Sequence, residues 1–128
     1  MNRKTNSTKK YTNLWESSVG AATGFFNAVR SEHKVRQVFF CLVVAIIICS
    51  IADVGFFEIL LITFSWVASL ICEMFNTAME KALDFACDKE YHPLVKEGKD
   101  YAGACTFVSI VFAVILTLLI LFRTWKWI

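Results

Sequence analysis

Long apolar runs and short polar intervals alternate along this chain. Gln37 to Ala52 carries no charge, with Val38-Phe39-Phe40-Cys41-Leu42-Val43-Val44-Ala45-Ile46-Ile47-Ile48 at its centre, and Asp53 stops it. As a helix its length is about 24 Å, a little short of a bilayer core of about 30 Å. Continuing backwards through Val35 supplies the missing length, with Arg36 reaching to the interface. Gly55 marks a turn, and Phe56 to Cys72 forms a second run whose only charge is Glu58. Tyr101 to Phe122 is the third run and has no charge at all. Arg123-Thr124-Trp125-Lys126-Trp127 follows it as an interfacial anchor of aromatic and basic groups. The pattern predicts three transmembrane helices, at about 35–52, 55–73 and 101–122, the second extending beyond the membrane to about 86.

Ahead of the first run, Leu14 to Lys34 reads as a helix with distinct faces. Leu14, Trp15, Val19, Ala22, Phe25, Phe26 and Val29 share one apolar arc. That face suits the headgroup boundary of a bilayer, so the pattern predicts an amphipathic surface helix. Ser17, Gly20, Gly24, Ala28 and Ser31 form a face of small residues, suited to the close approach of another helix or a ligand. Residues 1–13 read as a polar tail, and without an apolar stretch and cleavage site they do not read as a signal peptide. Residues 14–128 then form a single membrane domain. The fold class is all-α.

A polar stripe crosses the end of the second run. Glu73, Asn76, Glu80 and Asp84 fall within an arc of about 80° on a helix. Ser65 and Ser69 lie on the same side, deeper in the apolar run. Ionisable groups at membrane depth are costly and usually mark function. Asp84 also fits the bland alternative, an amphipathic helix end dipping into the cytosol. The segment after it contains Glu90-Tyr91-His92-Pro93, and Pro93 predicts the first turn of a new helix. That helix would carry Lys96, Lys99, Asp100 and Gly103 on one face.

Composition narrows the class. The chain is 57% hydrophobic with a single proline, too apolar for an ordinary soluble domain. A net charge of +2 gives no nucleic-acid footprint. Cys41, Cys49, Cys72, Cys87 and Cys105 show neither a CxxC pair nor metal spacing, which predicts reduced packing thiols. Lys and Arg cluster before the first run, and Lys81, Lys89, Lys96 and Lys99 lie between the second and third, while the Asp53 turn has none. The positive-inside rule then predicts a cytosolic N-terminus and 73–100 segment, and a C-terminus outside.

No Walker loop is present, nor a kinase-type glycine-rich loop, nor a Gly-x-Ser-x-Gly elbow. What remains is a set of carboxylates, one Asn, one His and a Lys-Asp pair at one membrane face. Hard oxygen ligands beside basic groups are what a Mg²⁺-phosphate site needs. Salt bridges tying helix ends together would need the same residue types, and the spacing alone does not separate the two.

The run Glu73-x-x-Asn76-Thr77-Ala78-x-Glu80-x-x-x-Asp84, followed by His92-Pro93-Leu94-x-Lys96-x-x-Lys99-Asp100, resembles the bacterial membrane diacylglycerol kinase and undecaprenol kinase family. Glu32 with Arg36 and Gln37 resembles a second element of that family, and the similarity covers roughly residues 14 to 125. The resemblance implies a homotrimer of three-span subunits, each with a surface helix, in the bacterial cytoplasmic membrane. It implies transfer of the γ-phosphate of MgATP to a lipid alcohol. By position, it implies Glu73 as catalytic base with Asn76 beside it. It implies Glu32 and Glu80 as metal ligands that also touch ATP. Glu90, Tyr91, His92, Lys99 and Asp100 would be the nucleotide-binding positions. Glu73, Arg36 and Gln37 would meet the lipid substrate.

Some positions depart from the pattern. The diacylglycerol kinase branch carries Glu where Pro93 stands and an acid where Val38 stands, and it has an aromatic at Gly20. His-Pro-Leu-x-Lys is usual in the undecaprenol kinase branch, whereas Glu90-Tyr91-His92 leans towards the first. The expected product is phosphatidic acid from diacylglycerol, with undecaprenyl phosphate as the alternative. A non-catalytic subunit using the stripe to assemble helices is the reading from a different class.

Overall fold

The computed structural model describes residues 13–126. Most of the polar tail and Trp127 of the anchor lie outside the described residues. Within them the chain is all helical: α1 (Leu14–Ser31), α2 (His33–Ile51), α3 (Phe56–Ala86) and α4 (Pro93–Trp125). Three of these, α2, α3 and α4, are long and apolar enough to cross a membrane. At about 1.5 Å per residue α2 is about 28 Å long, close to a bilayer core, while α3 and α4 reach about 46 and 50 Å and must overhang it.

Each helix boundary has a local cause. Asn13 caps α1 by accepting from the backbone of Glu16 at 2.8 Å. Glu32 is the hinge between α1 and α2, with extended backbone at φ −97° and ψ 114°. Its own N–H still closes α1 on Ala28, and its carbonyl opens α2 by accepting from Arg36. The Arg36 guanidinium reaches back 3.1 Å to the carbonyl of Arg30 and satisfies an acceptor that the break leaves free. Asp53 takes a left-handed conformation, φ 54°, at the turn between α2 and α3. Glu58 folds back over the start of α3 so closely that a Cβ on Gly55 would lie 2.5 Å from its carboxylate. A side chain at position 55 would only have to displace that flexible carboxylate. Asp88 and Lys89 are both left-handed after α3, and the Lys89 N–H closes the helix on Asp84 at 2.9 Å. His92 caps α4 through Nδ1, and Pro93 occupies its first turn.

The packing centres on α3, which has α2 against one side and α4 against the other. From α2 the buried residues are Val35, Val38, Leu42, Ala45 and Cys49, spaced three and four apart. They form a continuous seam of the coiled-coil type. The α3 side contributes Ile62, Ser65, Trp66, Ser69, Leu70, Glu73 and Asn76. The α4 side contributes Thr106, Ala113, Thr117 and Ile120. Ser65, Ser69, Thr106, Ala113 and Thr117 thus lie inside beside Ile62, Trp66, Leu70 and Ile120, whereas Phe64, Phe107, Phe112 and Leu119 face outward. This arrangement is expected where lipid is the solvent and close approach of helices, rather than exclusion of water, holds the bundle together. At the Asp53 end of the hairpin, Arg123 of α4 binds Glu58 of α3.

Candidate active site

The polar stripe of α3 begins buried and ends half-exposed. The Ser65 and Ser69 hydroxyls donate to carbonyls of their own helix, those of Ile62 and Ser65, at 2.8 and 3.1 Å. Those two residues are therefore satisfied without help. Glu73 and Asn76, one turn further, are each only 4% exposed. Glu73 Oε1 and Asn76 Oδ1 are buried without a hydrogen-bond partner. These two buried acceptors, about one turn apart on α3, lack a donor within the described residues, and an unmet buried polar atom costs about 1–3 kcal/mol.

Above them the stripe meets the α1–α2 hinge through crossed ion pairs. Lys34 Nζ lies 3.2 Å from Glu80 Oε1, and Lys81 Nζ lies 2.5 Å from Glu32 Oε1. Asn76 Nδ2 also donates to Glu80, at 3.3 Å. Glu32, Glu73, Asn76 and Glu80 are thus gathered along the junction of the hinge with α3. Among the described residues no three of His, Cys, Asp or Glu come together as a closed metal cage. Mg²⁺ seldom uses one, since it takes one or two carboxylates and fills its shell with phosphate oxygens and water. Glu32 and Glu80 fit that requirement.

Below Glu73 an apolar groove of about 560 Å³ opens between α2 and α4, over α3. Lys34, Gln37 and Glu73 are its polar residues, and Val38, Phe40, Cys41, Trp66, Ile110 and Val114 line the rest. Further along α3, a second cavity of about 440 Å³ is lined by Asp84, Lys89, Glu90, Tyr91, His92, Lys96 and Lys99, with Cys87 and Val95. Lys99 donates to Asp84 across the α3–α4 junction, and Lys96 pairs with Asp100 at 2.6 Å. Both lysines precede the apolar run of α4. The hydrogen bonds to Asp84 and Asp100 push their pKa values above the ordinary lysine range, so both stay cationic. Three lysines thus share this cavity with Asp84 and Glu90, and two of them are already paired with carboxylates.

The residues singled out from sequence therefore fall into groups. Glu32, Glu73, Asn76 and Glu80 gather at the hinge, with Gln37 at the groove. Glu90, Tyr91, His92 and Lys99 line the second cavity. Arg36 turns to the Arg30 carbonyl, and Asp100 is occupied with Lys96. Sequence reasoning passed over Lys34, which binds Glu80 and lines the groove, and Lys89, which lines the second cavity beside Lys96. Lys34 had a signal: it shares a helix face with Gln37, Val38 and Cys41 at spacings of three and four.

The family described as prokaryotic diacylglycerol kinase matches residues 20–121. The chain belongs to that family. A diacylglycerol kinase of Helicobacter pylori is 29% identical over 104 residues, which cover 81% of this chain and 80% of the relative. A diacylglycerol kinase of Pseudomonas aeruginosa is 36% identical over 87 residues, covering 68% and 70%. An undecaprenol kinase of Bacillus subtilis is 31% identical over 108 residues, covering 84% and 86%. This member of the prokaryotic diacylglycerol kinase family is a lipid kinase, a transferase that uses ATP and a lipid substrate. Its three apolar helices fit a multi-pass membrane protein.

Proposed function

We propose that this kinase transfers the γ-phosphate of MgATP to diacylglycerol, giving phosphatidic acid. The reading rests above all on Glu73, a buried carboxylate with a stranded oxygen at the polar end of an apolar groove. A lipid hydroxyl is the donor that such an oxygen lacks. Its chains would lie in the groove while its headgroup meets Lys34 and Gln37. Arg36, the next residue at that interface, would meet lipid headgroups from outside the groove.

Glu73 takes the hydroxyl proton as the lipid oxygen bonds to the γ-phosphorus. The bond from that phosphorus to the bridging oxygen breaks, and ADP leaves with the electron pair. Asn76 holds Glu80 through its amide and offers Oδ1 to the acceptor. Glu32 and Glu80 would hold Mg²⁺, whose charge would offset that of the phosphates. Glu80 lies about 10 Å along α3 from Glu73, on the side of the second cavity. Glu90, Tyr91, His92, Lys99 and Asp100 form the nucleotide side, with the lysines meeting phosphate.

The same reading makes the working unit a homotrimer in the bacterial cytoplasmic membrane. One chain leaves the groove open between α2 and α4, and neighbouring helices would shield the stripe from lipid. In this reading residues 14–128 are one kinase domain, and α1 lies at the cytosolic surface with its apolar arc towards lipid. The N-terminus and the 73–100 segment are cytosolic and the C-terminus is outside. Undecaprenol is the second acceptor to consider, because His92-Pro93-Leu94-x-Lys96 follows the pattern usual in that branch. The test is purified protein in lipid vesicles with Mg-ATP and either dioleoylglycerol or undecaprenol. Faster phosphorylation of dioleoylglycerol is expected. A preference for undecaprenol would replace the assigned acceptor, and transfer to neither would overturn the reading.

A further inference from the structure

Trp66 lines the groove two turns below Glu73, on the same face of α3 and about 10 Å away along the helix. It is the bulkiest side chain in the lining and only 6% exposed. Its Nε1 donates to Thr117 Oγ1 on α4 at 3.1 Å. The Thr117 hydroxyl in turn donates to the carbonyl of Ala113 at 2.7 Å, so its lone pair is free to accept from the indole. Both groups are satisfied, and both are buried. In surroundings without water, the indole could swing away only by leaving its N–H unmet. The ring is therefore a fixed plane against one side of the groove, while the other apolar lining residues are three aliphatic side chains, a thiol and one Phe.

We infer that Trp66, held in place by Thr117, is a specificity-determining residue that selects unbranched lipid chains over methyl-branched ones. The inference rests on the proposal that the groove takes the chains of a lipid whose hydroxyl sits at Glu73. A straight methylene chain lies flat along a rigid ring. A chain with a methyl at every fourth carbon needs extra width at regular depths, and a fixed indole does not yield it. Removing the ring opens that width without touching Glu73, the hinge or the nucleotide cavity.

The experiment compares 1,2-dioleoylglycerol with 1,2-diphytanoylglycerol, which share a headgroup and differ in chain branching. Wild-type protein is expected to favour the dioleoyl lipid. Trp66→Ala should narrow the gap in kcat/KM by at least about tenfold, the size of effect that a few carbon atoms have in an apolar pocket. The change should lie in KM for the branched lipid, which should fall relative to KM for the dioleoyl lipid. Thr117→Val, which keeps the bulk but frees the ring, should move the ratio in the same direction by less. This second variant decides the matter if Trp66→Ala fails to fold. An unchanged ratio in a folded variant, with wild type active, overturns the role of Trp66 and leaves the kinase reading standing. A wild-type enzyme indifferent to branching overturns it equally. A wild type inactive on both diacylglycerols overturns the acceptor assignment and this inference with it.

Discussion

Lys34 reaches across forty-six residues of chain to place its ammonium 3.2 Å from Glu80 Oε1. The pair joins the start of α2 to the polar end of α3, and its lysine occupies a carboxylate proposed for the metal. Both side chains are partly open to water, so the pair itself should add less than about 1 kcal/mol to stability. Lys34→Met is therefore expected to leave thermal unfolding almost unchanged while lowering the Mg²⁺ concentration for half-maximal activity. Glu80→Ala should raise that midpoint, as should Glu32→Ala. Mg²⁺ titrations at fixed ATP check all three, and midpoints equal to wild type would reject metal binding at these residues.

Glu73→Gln should reduce phosphate transfer by about 10²–10⁴-fold, the usual contribution of a general base. The amide keeps the shape and removes a buried charge, so the protein should fold and run at wild-type size on gel filtration. Turnover near wild type in well-folded protein would remove Glu73 from the base role.

Lys99→Met should raise KM for ATP several-fold and leave KM for the lipid in place, because Lys99 borders the second cavity and not the groove. Its pH behaviour has a definite sign. The hydrogen bond to Asp84 raises the lysine pKa, so Lys99 keeps its charge below the ordinary lysine value of about 10.4 and loses it only above that. KM for ATP in the wild type should then show no step from Lys99 across the neutral range. A step there that disappears in Lys99→Met would contradict the assignment.

A site shared between subunits can be tested by mixing two inactive proteins, Glu73→Gln on α3 and Asp100→Asn on α4. If one site draws these residues from different chains, mixed trimers contain some sites free of both lesions. Activity should then rise above either parent after exchange of tagged subunits. Absence of recovery with exchange proved would assign both residues to one chain in each site.

Much of the architecture can be read from the chain because charge interrupts grease at few places. Asp53 marks the turn after α2, the stripe from Glu73 the end of the apolar part of α3, and Pro93 the first turn of α4. The inner face of α4 was not legible. Thr106, Ala113 and Thr117 point inward while phenylalanines and leucines point out, and with lipid as solvent both faces are apolar enough to hide the difference. Glu32 as a helix break was hidden too, since no glycine or proline stands there and the backbone turns at an ordinary residue. Site residues on the stripe were visible because a buried carboxylate is conspicuous in an apolar run. Lys34 and Trp66 were not, because a lysine before a span reads as an anchor and a tryptophan within one reads as filler. Only the contacts with Glu80 and Thr117 give them a role.

The α3–α4 hairpin is pinned at both ends, by Glu58 with Arg123 and by Asp84 with Lys99. Between these pins the indole of Trp66 binds Thr117, and the remaining contacts are apolar or small and carry no charge that would fix the register. A slip of one turn, about 5.4 Å, would break both pairs at once. The two charge pairs therefore act as a vernier, fixing one alignment among several that the grease alone would accept. Exchanging the charges of a pair, as in Glu58→Arg with Arg123→Glu, preserves the alignment, whereas Arg123→Glu alone leaves two acids facing each other at the end of the hairpin.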